Sequence, residues 1–158
     1  MQIGQLKSLS GYIELLRTSH VGVNHVTTEE KALLSSAQFR HLGFARGKEI
    51  VAAKSRPGES CLMIKGISGR ETVTPDGKRQ ISALHIAGDF VDLHSFVLKQ
   101  MDHAVIALTD VRVAFISHSE LRRIIDLSPH LGRLFWLLTT IDGARVLEKI
   151  PAGRQCET

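Results

Sequence analysis

The sequence predicts a mainly β domain with flanking helices: a double-stranded β-helix, or jelly roll, followed by a long C-terminal helix. Between Phe44 and Gly88, glycines or Pro-Gly pairs recur between short runs of β-branched and apolar residues. This spacing is typical of consecutive antiparallel strands. Helix signals occur on both sides of this segment, near Thr27 and from Ser119 onwards, rather than between the strands. A jelly roll therefore fits better than an alternation of strands and helices.

The first well-marked helix begins at about Thr27. Thr27 and Glu30 have the spacing of a capping box, in which the side chain of each residue accepts a hydrogen bond from the backbone N–H of the other. We expect this helix to reach about Gln38, with Leu34 among its inward-facing residues. Several glycines interrupt the apolar residues of the segment 1–26, which predicts only a loosely ordered helical lead-in.

Short strands fill the glycine-punctuated segment and continue beyond it. Four of them are predicted at Lys48–Ala53, Cys61–Lys65, Glu71–Thr74 and Arg79–Leu84. The sequence Pro75-Asp76-Gly77 predicts a hairpin turn between the last two, because proline fixes φ and glycine accepts a positive φ. Farther on, the apolar run from Ala104 to Ile116 predicts two strands that turn near Thr109-Asp110. About eight strands are expected in all.

Two helices should follow the strands. Ser119 is expected to cap a short helix at Glu120–Asp126, and Pro129 suits the first turn of the next helix. That last helix, at about residues 130–149, has apolar residues at the 3-4-3 spacing of a short coiled-coil seam, namely Leu131, Leu134, Leu138 and Ile141. Because its other faces are also apolar, one sheet cannot cover it. We therefore expect a parallel homodimer with these four residues at the interface.

These boundaries predict four segments. They are a helical lead-in at 1–26, a jelly-roll domain at 27–128, a dimerisation helix at 129–150, and a tail or hinge remnant at 151–158. The 158 residues, 43% of them hydrophobic, suffice for one domain with a proper core.

Composition excludes several classes of protein. The net charge of +4 comes from basic residues in small groups, which favours a solvated surface over a nucleic-acid interface. No apolar run approaches the ~18 residues of a membrane span. Cys61 and Cys156 lie far apart and form no CxxC motif. We therefore expect reduced thiols and a cytoplasmic location.

The order of elements and three local sequences resemble the sensory half of the Crp/Fnr transcription regulators. The three sequences are PDGKRQI at the hairpin, HIAGDFVDL at the start of the phosphate-binding cassette, and SHSELRRIIDLSPHL before the long helix. The resemblance covers residues 27–149. It implies a cyclic-nucleotide-binding-like jelly roll that senses an effector. It places the effector pocket at the cassette residues Gly88, Asp89, Asp92, His94, Asp102, His103 and Ala104.

Cyclic AMP is not the expected effector. Family members that bind it carry a Gly-Glu pair at the start of the cassette and an Arg-Ser or Arg-Thr pair before its closing alanine. Here Gly88-Asp89 stands at the first pair, whereas Asp102-His103 precedes Ala104. An aspartate repels a phosphate, and the charge-assisted contact of the missing arginine is lost.

The sequence does not identify the ligand among the other effectors of the family. An iron–sulfur cluster would need several cysteines near the N-terminus, and residues 1–60 contain none. Haem is compatible with the histidines but is not favoured. His85 and His118 are expected to be half-exposed strand or loop residues, and His94 and His103 polar cassette positions, with no metal bound.

An alternative from another class is a cupin-like metal-binding enzyme, because cupins are also jelly rolls. Their metal site begins with a His-x-His pair, which this sequence lacks. Asp92-x-His94 could supply two ligands but has no obvious partner set. No nucleophile elbow, P-loop or dinucleotide fingerprint occurs either. We therefore expect a protein that is not an enzyme.

Sequence-specific DNA binding is expected only of a full-length form. Regulators of this family continue into a helix-turn-helix, whose second helix reads the major groove. This chain reaches Thr158, where the resemblance places the hinge between the two halves. We expect either a fragment or a naturally truncated relative, which alone does not read DNA.

Overall fold

The computed structural model describes residues 26–147, with side chains described as far as residue 144. The expected lead-in, the last residues of the long helix and the tail lie outside the described residues. In chain order the elements are α1 (Thr28–Ser35), β1 (Arg40–Phe44), β2 (Glu49–Val51), β3 (Glu59–Lys65), β4 (Ser68–Val73), β5 (Arg79–His85), α2 (Ser95–Leu98), β6 (Ala104–Ala107), β7 (Val111–Ser117), α3 (His118–Leu127) and α4 (Pro129–Leu147). None of the helices in this part of the chain is both long and apolar enough to cross a membrane.

The strands form two antiparallel sheets, as the jelly-roll prediction requires. One sheet has the order β1-β7-β3 and the other the order β2-β6-β4-β5. The described residues contain seven strands rather than about eight. The predicted turn near Thr109-Asp110 lies between β6 and β7, and these two strands belong to different sheets. This turn therefore carries the chain from one layer of the sandwich to the other.

Strand β4 begins earlier than the sequence suggested. Its first residue is Ser68, and Gly69 lies within the strand rather than in a turn. A Cβ atom at Gly69 would lie 3.0 Å from methyl carbons of Ile81 and Leu108. The glycine therefore serves close packing inside the sheet, a role that sequence punctuation alone cannot distinguish from that of a turn.

The residue that caps the helix is the predicted one at the start of α1 and a different one at the start of α3. At α1, the N–H of Glu30 donates to Thr27 Oγ1 at 3.2 Å and the N–H of Thr27 to Glu30 Oε2 at 3.0 Å, which confirms the capping box. At α3, the cap is Ser117 rather than Ser119, because Ser117 Oγ accepts from the N–H of Glu120 at 3.1 Å. The helix therefore begins at His118.

Helix α4 begins at Pro129 as predicted, but it packs differently from the expectation. Leu131 is fully buried and Leu134 is 6% exposed in the single chain, where both belong to a core formed with α1, α3 and the cassette. Leu138 also packs against this core. We expected a second copy of the chain to cover the stripe of four apolar residues. This expectation is wrong for Leu131 and Leu134, which are buried within the single chain. The reason is that α1, α3 and the cassette cover this side of α4 together with Leu62 and Ile116 of the sheet.

Candidate functional site

The cassette (residues 86–103) connects β5 to β6 and is held against β3 at its start. The N–H of Gly88 donates to the carbonyl of Met63, the N–H of Met63 to that of Asp89, and the N–H of Val91 to that of Cys61, at 2.9 to 3.0 Å. Gly88 has a φ of +97°, which glycine adopts without strain. The first predicted pocket residue is therefore needed for the path of the backbone.

Two of the predicted pocket carboxylates also bond to backbone groups. Asp89 Oδ2 accepts from the N–H of Ile86 at 2.9 Å and closes the turn at the start of the cassette. Asp92 is 1% exposed, and its Oδ1 accepts from the N–H of Cys61 at 2.6 Å. Burial raises the pKa of Asp92 to about 7. The first contact lies within the cassette, and the second ties the cassette to β3.

The remaining predicted residues contribute to a group of polar side chains that we call the polar chamber. Its members come from β4, β5, the cassette and α4, and are Arg70, His85, His94, Asp102, His103 and Asp142. Arg70 forms an ion pair with Asp142, and His85 Nε2 donates to Asp142 Oδ1 at 3.2 Å. The long helix thus provides the carboxylate that holds two strands of the second sheet.

The cassette side of the chamber contains two histidines and an aspartate. The rings of His94 and His103 are inclined at 34° with their centroids 5.2 Å apart. His103 Nδ1 donates to Asp102 Oδ1 at 2.5 Å, and His94 Nε2 lies 3.7 Å from the same oxygen. His103 is almost completely buried, whereas 81% of the Asp102 side chain is exposed.

Burial determines the charge state of the chamber. Burial and the positive charge of Arg70 together lower the pKa of His103 to about 4, in spite of the opposing effect of Asp102. The pKa of His94 is lowered for the same two reasons. Burial would raise the pKa of Asp142, but the hydrogen bond from His85 and the charge of Arg70 bring it below its usual value. At neutral pH the two cassette imidazoles are therefore neutral, and Arg70 and Asp142 are charged.

Most of the unpartnered buried polar atoms lie in this chamber. Among the described side chains, five buried polar atoms have no hydrogen-bond partner: Arg70 Nε, His85 Nδ1, His94 Nε2, His103 Nε2 and Asp92 Oδ2. The first four belong to the chamber. A buried polar group without a partner costs about 1–3 kcal/mol. Because such atoms are rare in native structures, their concentration here marks the chamber as the candidate binding site.

An apolar groove adjoins the chamber. It has a volume of about 650 Å³ and lies between α2, α3 and α4. His94 lines it together with Val97, Ile125, Phe135 and Trp136. Val97 is 60% exposed and Trp136 69%. A ligand of the chamber could therefore reach apolar surface through His94.

Sequence reasoning located the cassette members of this site but not the others. Arg70 and Asp142 were not predicted, because residues so far apart in the chain reveal their contact only after folding. His85 was expected to be half-exposed and is fully buried. His118 is half-buried, with Nε2 3.2 Å from Ser60 Oγ and 3.4 Å from Ser95 Oγ, and lies outside the chamber. Ala104 is buried as the first residue of β6.

Comparison with solved structures shows that the fold is shared with bacterial regulators. A cyclic nucleotide-binding domain from Methylobacillus flagellatus KT aligns with a TM-score of 0.76 at 17% identity, over 96% of this chain and 89% of that one. The catabolite activator protein of Thermus thermophilus gives a TM-score of 0.66 at 19% identity, over 79% of this chain and 59% of its own. FixK2 of Bradyrhizobium japonicum gives 0.64 at 20% identity, over 70% of this chain and 55% of its own. The chain thus corresponds to little more than half the length of the last two proteins.

Sequence comparison agrees with the fold. No curated protein sequence matches this chain. The cyclic nucleotide-binding domain family matches residues 42–128, more than half of the chain, which include all strands from β2 onwards, the cassette and α3. The sandwich, the cassette and this match together show that the chain belongs to the cyclic nucleotide-binding domain family, with the jelly-roll fold of Crp/Fnr-type regulators.

Proposed function

We propose that this chain is the effector-sensing and dimerisation domain of a Crp/Fnr-type transcription regulator, which acts in the cytoplasm and is not an enzyme. The observation that carries this proposal is the position of Asp142. This carboxylate of α4 contacts Arg70 of β4 and His85 of β5. A ligand that competes for either partner changes how the long helix is held. A helix with two such arrangements can transmit occupancy of the pocket to an attached domain.

The charges of the chamber support an effector other than cyclic AMP. A cyclic phosphate needs a cation that is free to neutralise it. The guanidinium of Arg70 is already paired with Asp142. Asp102 stands at the end of the cassette, where its carboxylate meets the rings of His94 and His103. A phosphate bound there would face a negative charge and lack a cationic partner.

Calorimetric titration with cyclic AMP tests this choice. We expect no saturable binding by the wild-type chain at micromolar concentrations. The double variant Asp102→Arg with His103→Ser should bind at least ~10-fold more tightly, because a charged hydrogen bond contributes about 1.5–3 kcal/mol. Asp126→Arg, which adds the same charge on an exposed position of α3, is the matched control. Micromolar binding by the wild type would contradict the proposal.

Dimerisation is proposed through a revised face of α4. Leu131 and Leu134 are buried in their own chain, whereas an exposed stripe runs along the opposite side of the helix. Its members are Arg133, Trp136, Thr140, Gly143 and Ala144. Trp136 is a large apolar side chain, and the small residues that follow allow close approach of a second helix. Two-fold symmetry would bury each of them twice.

Sedimentation of the full chain tests this dimer. We expect a dimer at tens of micromolar for the wild type and a monomer for Trp136→Glu, because the charge would be buried against its own copy. Leu127→Glu is the matched control, since Leu127 is 64% exposed on α3 and lies off the stripe. Leu138 packs against the core, so Leu138→Asp should unfold the chain rather than yield a folded monomer. A monomeric wild type would end the dimer proposal.

We expect sequence-specific DNA binding only of a full-length form that includes a helix-turn-helix. The described domain provides only scattered basic residues, and these support weak, salt-sensitive contacts with phosphates. The effector domain would act on DNA through the angle at which two α4 helices leave the dimer.

A further inference from the structure

Three side chains of the cassette form a compact group of metal-ligating atoms. One ring nitrogen each from His94 and His103 and one carboxylate oxygen from Asp102 lie within 4.8 Å of one another. We propose that His94, Asp102 and His103 bind a divalent transition metal ion, and that this ion is what the domain senses. The inference names the ligand of the polar chamber and in this respect rests on the proposed function.

The charges around the three residues favour a cation. The carboxylate of Asp102 faces a ring nitrogen of His94 at 3.7 Å and one of His103 at 2.5 Å. Arg70 is the cation of the chamber, and its charge is balanced by Asp142 on the other side. Among the described residues, the carboxylate of Asp102 therefore has ion-pair contacts with these two imidazoles alone. An anion would meet repulsion there, whereas a metal ion would be attracted.

The ring nitrogens are available as ligands. A carboxylate only accepts hydrogen bonds, so the proton of His103 lies on Nδ1, which donates to Asp102, and the lone pair lies on Nε2. This Nε2 is buried without a partner, and the same holds for His94 Nε2. A carboxylate that orients a histidine in this way is the usual support of a metal-binding imidazole. Asp102 Oδ1 therefore orients His103, and the other carboxylate oxygen, Oδ2, is the one that would bind the ion.

Donor type selects among metal ions. Two imidazoles and one carboxylate suit zinc, nickel, cobalt or ferrous ions, whereas magnesium and calcium prefer oxygen ligands alone. The exposed side chain of Asp102 offers an entrance to the site. His94 immediately precedes α2 and lines the apolar groove. A bound ion would thereby fix α2 relative to the groove and to α4.

Metal titration of the purified full chain tests the site. After removal of metals with a chelator, zinc chloride is titrated in competition with a chromophoric chelator, and cobalt chloride is followed by its visible absorption. We expect one ion per chain. His94→Ala and His103→Ala should each weaken zinc binding at least ~100-fold, and Asp102→Asn ~10–100-fold. His41→Ala, which removes an exposed histidine of β1, should leave binding unchanged.

Three results would overturn the inference. They are zinc affinity no better than millimolar, equal loss in the His41→Ala control, or binding that disappears only with His20→Ala or His25→Ala. Thermal melts of metal-free variants separate misfolding from ligand loss, and His103→Gln provides a second, milder variant. Failure of zinc binding in a protein that still dimerises refutes the metal site alone. A monomeric chain that binds zinc through His94 and His103 refutes dimerisation alone.

Discussion

Among the described residues, two groups of polar side chains use similar residue types and differ in how completely their hydrogen-bonding atoms have partners. The first, which we call the Glu30 cluster, joins α1 to the start of α4. Glu30 accepts from Ser128 Oγ at 2.6 Å, from His130 Nδ1 at 2.8 Å and from the N–H of Thr27 at 3.0 Å. The second is the polar chamber, where four nitrogen atoms have no partner.

The difference separates a structural cluster from a binding site. Buried polar groups that are fully hydrogen-bonded stabilise one arrangement of the chain, whereas unsatisfied ones lower stability. In the Glu30 cluster, Ser128 also accepts from the N–H of Leu131 and thereby caps α4. In the chamber, a bound ligand would compensate for the missing hydrogen bonds. A histidine bonded to a carboxylate occurs in both places, so the pair by itself does not indicate function.

The largest effect is expected at Glu30. Glu30→Leu leaves His130 and Ser128 without their acceptor, and we expect the free energy of unfolding to fall by about 3–4 kcal/mol. Glu30→Gln should cost less, because the amide oxygen still accepts. Urea denaturation of both variants measures the difference. A decrease of less than about 1 kcal/mol in the free energy of unfolding of Glu30→Leu would remove the distinction between the Glu30 cluster and the polar chamber.

The Glu30 cluster should also lose stability in acid. Burial alone would raise the pKa of Glu30, but hydrogen bonds from Ser128, Thr27 and His130 together lower it. An acid whose pKa is lowered by folding stabilises the native state above its unfolded pKa of ~4.3 and ceases to do so as the pH falls below it. The stability gap between wild type and Glu30→Gln should therefore narrow between about pH 5 and pH 3.

An intermediate effect of opposite sign is expected at Asp92. This carboxyl has one oxygen bonded to the N–H of Cys61 and the other without a partner, and burial raises its pKa to about 7. The native state thus holds a proton that the unfolded chain has already lost, so stability falls as the pH rises from about 4 to 7. This difference in pKa between the native and the unfolded state can lower the stability at high pH by at most ~4 kcal/mol.

Asp92→Asn should remove this pH dependence. We expect the variant to be about 2 kcal/mol more stable than the wild type at pH 8 and about 2 kcal/mol less stable at pH 4. The amide buries an N–H group without a partner, which costs about 2 kcal/mol at both pH values, whereas the cost of ionising Asp92 arises only in the wild type at high pH. Denaturant titrations at both pH values measure the two differences. The same difference at pH 4 and pH 8 would show that Asp92 is ionised at little cost.

The sequence predicted those features of the molecule that depend on local chemistry. The capping box at Thr27 and Glu30, the hairpin at Pro75-Asp76-Gly77 and the start of α4 at Pro129 each follow from neighbouring residues. Burial and distant pairing were not predictable in this way. The apolar spacing of α4 identified a buried stripe but could not tell whether its own domain or a second copy covers it.

The residues of the candidate site also divide into those that the local sequence identified and those that it did not. Asp102 and His103 were identified because they stand at a cassette position where an arginine and a serine are expected. Arg70 and Asp142 were missed, since nothing in the local sequence of β4 or α4 marks them as partners. Asp89 and Asp92 were assigned to the pocket by position, and the structure places both on backbone N–H groups. The hydrogen bonds of a cassette carboxylate must therefore be known before a role in ligand binding is assigned to it.

The smallest effect, and the most informative, compares His103→Leu with His130→Leu in metal-free protein. Each change removes an imidazole that donates to a carboxylate, at 2.5 Å in His103 and 2.8 Å in His130. His130→Leu takes one donor away from the buried Glu30 and should cost about 1–2 kcal/mol. His103→Leu also removes a buried nitrogen that has no partner, and Asp102 is exposed enough to bond with water. We expect its stability to be unchanged or about 1 kcal/mol higher. Parallel urea titrations measure both, and an equal loss in the two variants would mean that the chamber is a structural cluster like the first.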